Sequence, residues 1–228
     1  MDGLASALAT GASVDARDKL MRTPLHFAVM RGHAEVTRML LAAGADIEAQ
    51  NNHTRRPLWF AVEKDDVNMA RLLLDSRASI HARGDKDKTP LHWAVDEDSK
   101  KVAELLVESR ANLDARTIHG HTPLHCSGIW RRLEVARVLL RAGADLDAKC
   151  NSGEKVEDMV SLRRGGTVSF NRLLRKTRFR RQRASCLAFA MGQHQRLGAD
   201  SPVQLLEPGL VHLIVAHVHI WHSLPRAK

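Results

Sequence analysis

The sequence predicts an all-α solenoid of stacked helix pairs, followed by a short helical carboxy-terminal segment. Three observations carry this. Four prolines, Pro24, Pro57, Pro90 and Pro123, stand 33 residues apart. Around each, a polar turn gives way to a helical apolar pattern, and a second apolar run and a further turn follow at a constant offset. Beyond residue 160 the period stops and the charge balance changes. A period in the range of about 20–50 residues marks units that cannot bury an apolar face alone and must stack on their neighbours.

The first helix of each unit opens at Thr23-Pro24-Leu25-His26, Arg56-Pro57-Leu58-Trp59, Thr89-Pro90-Leu91-His92 and Thr122-Pro123-Leu124-His125. Thr before Pro supplies an N-cap, and Pro suits the first helical position because the N–H it lacks would have no partner there. Leu25, Ala28 and Val29 then follow at helical spacing, with small Ala admitting a close neighbour. The second helix carries Met39-Leu40-Leu41, Leu72-Leu73-Leu74, Leu105-Leu106-Val107 and Val138-Leu139-Leu140, with Val36 extending the first of these stripes. It ends at Gly44-Ala45-Asp46, Arg77-Ala78-Ser79, Arg110-Ala111-Asn112 and Gly143-Ala144-Asp145. Gly44 and Gly143 suit a left-handed helix stop, whereas Arg77 and Arg110 should each cost about 1 kcal/mol there. Arg56 and Trp59, in place of Thr and His, make the second copy the loosest.

Motif, period and turn together resemble the ankyrin repeat over residues 4–160, with repeats near 18–50, 51–83, 84–116 and 117–149 and partial copies at 4–17 and 150–160. In the partial copies Gly11 stands in register with Gly44, and Gly153 with Gly120. The resemblance implies that His26, His92 and His125 are structural, tying successive turns by hydrogen bonds, and that His33 in its Gly-His pair is structural too. It also implies a non-catalytic module binding a protein through the concave face made by turn tips and first helices. Carried over position by position, that face takes Leu20 and Arg22, His53 and Arg55, Lys86, and Ile118 and His119 from the tips. From the first helices it takes Met30 and Arg31, Glu63 and Lys64, Asp96 and Glu97, and Ile129 and Trp130. The end copies are partly apolar and the middle zwitterionic. Trp130 is the aromatic anchor candidate, or else packs against the carboxy-terminal segment.

Composition narrows the function classes. Apolar residues are 44% and charged residues 27% of 228, a globular balance, and Lys and Arg exceed Asp and Glu to give +9. Residues 1–150 hold 22 basic and 21 acidic side chains, while residues 151–228 hold 13 and 5. The near-neutral repeats are thus a poor match for a polyanion, and nucleic acid is not the expected partner of the array. Cys126, Cys150 and Cys186 form neither a disulfide framework nor a zinc spacing, which suggests a reducing compartment. No secretory signal opens the chain, and its longest apolar stretch, Leu210 to Leu224, is too short for a bilayer. We expect a cytoplasmic monomer without cofactor or metal, and no catalytic fingerprint stands in the sequence.

The tail divides into a basic linker or helix at 161–183 and a helical segment at 184–228. Arg163-Arg164-Gly165-Gly166 reads as the linker ending the solenoid. Arg175, Lys176, Arg178, Arg180, Arg181 and Arg183 are six basic residues within nine. They suit a solvated helix, a nuclear import signal or, with Phe179 alone to stack on bases, a nucleic-acid patch. Beyond them, Cys186 to Met191 and Val203 to Leu210 read as two short apolar helices that either cap the array or dock a partner. Leu205 to Ile214 is weakly similar to an F-box or SOCS-box helix, which implies, as the alternative function, an adaptor of a cullin-type ubiquitin ligase. Leu206, Leu210, Leu213, Ile214, Val218 and Trp221 trace a helical apolar stripe, so His212, His217, His219 and His222 read as incidental to a packed or partner-binding helix rather than as metal ligands.

Overall fold

The computed structural model describes residues 11–161 and 167–196, the latter with side chains from 168 to 185. These residues form ten α-helices and one 3-10 turn, and no strand occurs among them. The chain divides into two compact units, Met1–Thr177 and Arg178–Lys228.

In the first unit the helices come in pairs: α1 (Pro24–Met30) with α2 (Ala34–Ala42), α3 (Pro57–Glu63) with α4 (Val67–Asp75), α5 (Pro90–Asp96) with α6 (Lys100–Glu108), and α7 (Pro123–Trp130) with α8 (Leu133–Ala142). A further first helix, α9 (Val156–Ser161), follows, and then the long helix α10 (Thr167–Arg196). First helices pack on first helices along the array, and α4, α6 and α8 pack on one another. Two leucine ladders run through the stack at the 33-residue period. Leu25, Leu58, Leu91 and Leu124 come from the first helices, Leu40, Leu73, Leu106 and Leu139 from the second, and all eight are buried. Each such side chain contributes about 1.5–3 kcal/mol through removal from water, so the ladders are the main adhesive of an array with no central core.

The ends of the second helices match the sequence reading. Gly44 and Gly143 have φ of 85° and 105°, and Arg77 and Arg110 occupy the same left-handed region at 71° and 64°. Where the repeat supplies no glycine, the turn geometry overrides the preference of a side chain with a Cβ.

The partial fifth copy is folded as far as its first helix. The Cys150 N–H donates to the Glu154 carbonyl at 2.9 Å, as Asn51 does to Arg55 three copies earlier and Thr117 to His121 one copy earlier. Val156 and Val160 of α9 press against α7 at Gly128, where a Cβ would lie 3.0 Å from Val156 Cγ2. Phe170 and Leu174 of α10 join the same buried cluster, so the apolar packing of the first unit reaches past α9. The segment from Cys186 to Met191 belongs to the continuous helix α10 rather than to a separate short helix. The proposed linker at 163–166, the stretch 203–214 and the four late histidines lie outside the described residues.

Candidate functional site

The first helices are fixed by a repeated polar device. In α1, α5 and α7 the backbone N–H of Thr23, Thr89 and Thr122 donates to Nδ1 of His26, His92 and His125, at 3.0, 3.2 and 3.3 Å. With Nδ1 an acceptor, the proton sits on Nε2, and each Nε2 donates to a carbonyl of the next turn: Arg55 at 3.1 Å, His121 at 3.1 Å and Glu154 at 3.2 Å. Both ring nitrogens of a buried neutral imidazole are thereby satisfied. Burial is the main cause that pushes all three histidines below their usual range, His92 to about 4. The structural role inferred from the motif is what the geometry shows. His33 departs from its expectation: it is exposed, and at the N-terminus of α2 its side chain makes no cap hydrogen bond.

In the second repeat the tie takes another form. Arg56 cannot cap with its side chain; it reaches instead to the Arg83 carbonyl at 2.7 Å and pairs with Glu48 at 3.0 Å. Trp59 is only 6% exposed, packed edge-on against Phe60 and Trp93. Six of the seven residues of α3 are buried, so divergence from the motif has not loosened the packing there.

The face made by tips and first helices carries the residues singled out from sequence, and none of them is buried. Leu20, Arg31, His53, Glu63, Lys64, Lys86, Glu97, Ile118, His119 and Trp130 are exposed; Arg22, Met30, Arg55, Asp96 and Ile129 are half-buried. Several of the polar ones are already engaged. Arg22 pairs with Asp18 at 2.7 Å and lies over the Phe27 ring, and the Arg55 guanidinium stacks 3.8 Å from the Trp59 ring centroid. Lys64 donates to the Met30 carbonyl, Lys88 pairs with Asp96, and Arg132 donates to the Asp96 carbonyl at 2.8 Å. Burial, then the neighbouring carboxylates Glu63 and Asp96, raise the pKa of Glu97. The middle of the face is a set of charges partly consumed by one another, and its ends are apolar.

Two contributors escaped the sequence reading. Met21 and Phe27 are exposed, at 42% and 37%, beside Leu20. Phe27 occupies the repeat position of buried Phe60, which packs edge-on against His26 in the preceding copy. A position's exposure therefore depends on its stacking neighbour, which a single repeat does not reveal.

Of the basic run, Arg175, Lys176, Arg180 and Arg183 are exposed on α10 and Arg178 and Arg181 half-buried. Cys126 and Cys150 are buried free thiols, and burial pushes the Cys126 thiol up to about 12, which makes it inert. Among the described residues no cluster of three or more His, Cys, Asp or Glu is placed to hold a metal ion, and no helix is long and apolar enough to cross a membrane.

Residues 2–84 and 78–150 match the family model described as ankyrin repeats in three copies. No curated protein matches the chain. The family match, the 33-residue stacking and the histidine ties agree, and this chain belongs to the ankyrin-repeat family.

Proposed function

We propose that the chain is a non-catalytic scaffold that binds a protein partner through the face made by the turn tips and the first helices. Ankyrin repeats generally mediate protein–protein interaction. One observation supports the choice of face. Among the described residues, the large exposed apolar side chains are Leu20, Met21, Phe27, Ile118, Trp130 and Val168. Five of these six stand on tips or first helices, and none on a second helix. Apolar and aromatic anchors at the centre of interfaces carry most of their binding energy. The two apolar ends, separated by a zwitterionic middle, suit an elongated partner that carries apolar groups at both ends and charged groups between.

The test is affinity capture with the full chain and two variants, read by mass spectrometry. Phe27→Ala with Trp130→Ala should lose the specific partner by about thirty-fold or more, since even one anchor of this kind is worth about 2 kcal/mol. Arg71→Ala with Lys101→Ala, exposed on second helices, should retain it, and all three proteins should give the same far-ultraviolet circular dichroism. A partner held equally well by the first variant would overturn the choice of face. The ligase-adaptor stretch 205–214 lies outside the described residues, and no contact within the array favours nucleic acid.

A further inference from the structure

The second repeat leaves a donor and an acceptor unjoined. Its neighbours send a histidine Nε2 to the carbonyl of the next turn. The equivalent acceptor for Trp59 is the Lys88 carbonyl, which among the described residues accepts only the Gly84 N–H, at 3.0 Å. The indole Nε1–H of Trp59 is buried and finds no acceptor among the described residues. Trp59 also lines a cleft between the second and third repeats, with Arg55, Arg56, Glu48, Pro90 and Trp93 around it.

The charges of this cleft do not cancel. Glu48 accepts from the Ser79 N–H at 2.7 Å and pairs with Arg56, so its carboxylate is used. Arg55, stacked on the Trp59 ring, has no carboxylate within ion-pair distance among the described residues. Lys88 stands 4.7 Å from the Trp93 ring centroid, but its charge is offset by the ion pair with Asp96. The cleft therefore offers a guanidinium in no ion pair, beside the buried, unpartnered Trp59 donor and the apolar surfaces of Trp93 and Pro90.

We propose that this cleft is a carboxylate-binding site, in which Trp59 Nε1–H and the Arg55 guanidinium donate to a carboxylate presented by a protein partner. A buried donor without an acceptor is costly, and that cost is recovered when one arrives. An anionic acceptor shared with a guanidinium gains further through charge-assisted hydrogen bonds. The methylenes behind the carboxylate then lie on Trp93 and Pro90. A glutamate side chain and a chain's carboxy terminus both supply this group. The inference deepens the functional reading above and rests on it only for the source of the carboxylate; the site is tested without any protein partner.

The experiment follows the four tryptophan indole N–H resonances of the isotope-labelled full chain by nuclear magnetic resonance. The Trp59 signal is assigned by its loss in Trp59→Phe, which keeps an aromatic ring in the packing. The probes are acetylated, amidated glutamate (side-chain carboxylate), acetylglycine (terminal carboxylate) and acetylated, amidated glutamine. The Trp59 signal should shift saturably with at least one carboxylate, whichever responds identifying the source, and not with glutamine. Arg55→Gln should weaken the response about tenfold. Trp59→Phe, and Trp59→His, which restores the tie to Lys88, should abolish the accompanying shift at Trp93. A flat response to both carboxylates, an equal response to glutamine, or an unaffected Arg55→Gln titration overturns the proposal. Loss of a partner in the face variants, with the cleft still responsive, would bear on the docking face alone.

Discussion

Replacing His92 by Gln removes one of three buried imidazoles whose neutral form the array requires, and the effect should appear as a change in pH dependence. His92 Nδ1 accepts the Thr89 N–H at 3.2 Å, and Nε2 donates to the His121 carbonyl at 3.1 Å. Protonation would turn Nδ1 into a donor facing another donor. Burial accordingly brings its pKa to about 4, from 6.5 in the unfolded chain. The unfolded chain binds more protons than the folded one between those two values, so stability falls as pH drops from 6.5 toward 4 and is fully present above. For this one group the loss between pH 7.5 and pH 5 is about 2 kcal/mol. His26 and His125, lowered for the same reason, add losses of the same sign. Urea unfolding followed by circular dichroism across that range should show the wild-type chain losing more stability than His92→Gln, by about 2 kcal/mol at pH 5 relative to pH 7.5. The variant starts from lower stability at neutral pH, having lost a polar tie. Parallel pH profiles for the two proteins would refute the assignment of a neutral, two-bonded imidazole.

Three further substitutions test the turns. Arg110→Gly relieves a Cβ-bearing residue held at φ 64° and exposed to solvent. It should stabilise the chain by about 0.5–1 kcal/mol, read as a higher urea midpoint at constant slope. Gly120→Ala and Gly143→Ala separate backbone strain from crowding. Both glycines have positive φ, but a Cβ on Gly120 would lie 2.1 Å from Asn151 Oδ1 and 2.7 Å from its backbone nitrogen, whereas Gly143 faces open space. Gly143→Ala should cost about 1 kcal/mol and Gly120→Ala about 1–3 kcal/mol more, so equal thermal midpoints for the two variants would contradict the close approach at Asn151.

What was legible in the sequence was whatever repeats. Pro24, Pro57, Pro90 and Pro123 fixed the register, and with it the helix starts, the leucine ladders and the left-handed turns at Arg77 and Arg110. The histidine ties could be anticipated for His26, His92 and His125 because the motif that positions them is local. What depends on the adjoining copy was less legible. Phe27 and Phe60 occupy the same position of the repeat, yet only Phe60 is buried. Trp59 looked like a weak point from its own copy alone, and its packing against Trp93 of the next one keeps α3 buried. His33 sits in a family dipeptide but meets solvent, since adjacency to Gly32 says nothing of what the ring touches. The candidate face was readable as a set of positions. Which of its charges remain available was not, because the pairs Lys88 with Asp96 and Lys64 with the Met30 carbonyl form between elements.

Some bonds between copies recur at a constant stride, and this bears on how such a chain can change length. Arg17 donates to the Gln50 carbonyl, Arg83 to that of Arg116, and Arg116 to that of Lys149, each 33 residues on. Asp15 accepts from the Asp46 N–H and Asp114 from that of Asp145. The copies flanked by Arg83 and Arg116 thus present the same fitting to their successors. Duplicating residues 84–116 in place would give the new junction the bonds of the old ones and strand no polar group. Duplicating residues 51–83 would not, because that copy carries Trp59 and would repeat the missing tie. Growth by tandem copying is open to the third unit and penalised at the second, and the reach of the binding face can be altered without rebuilding its chemistry.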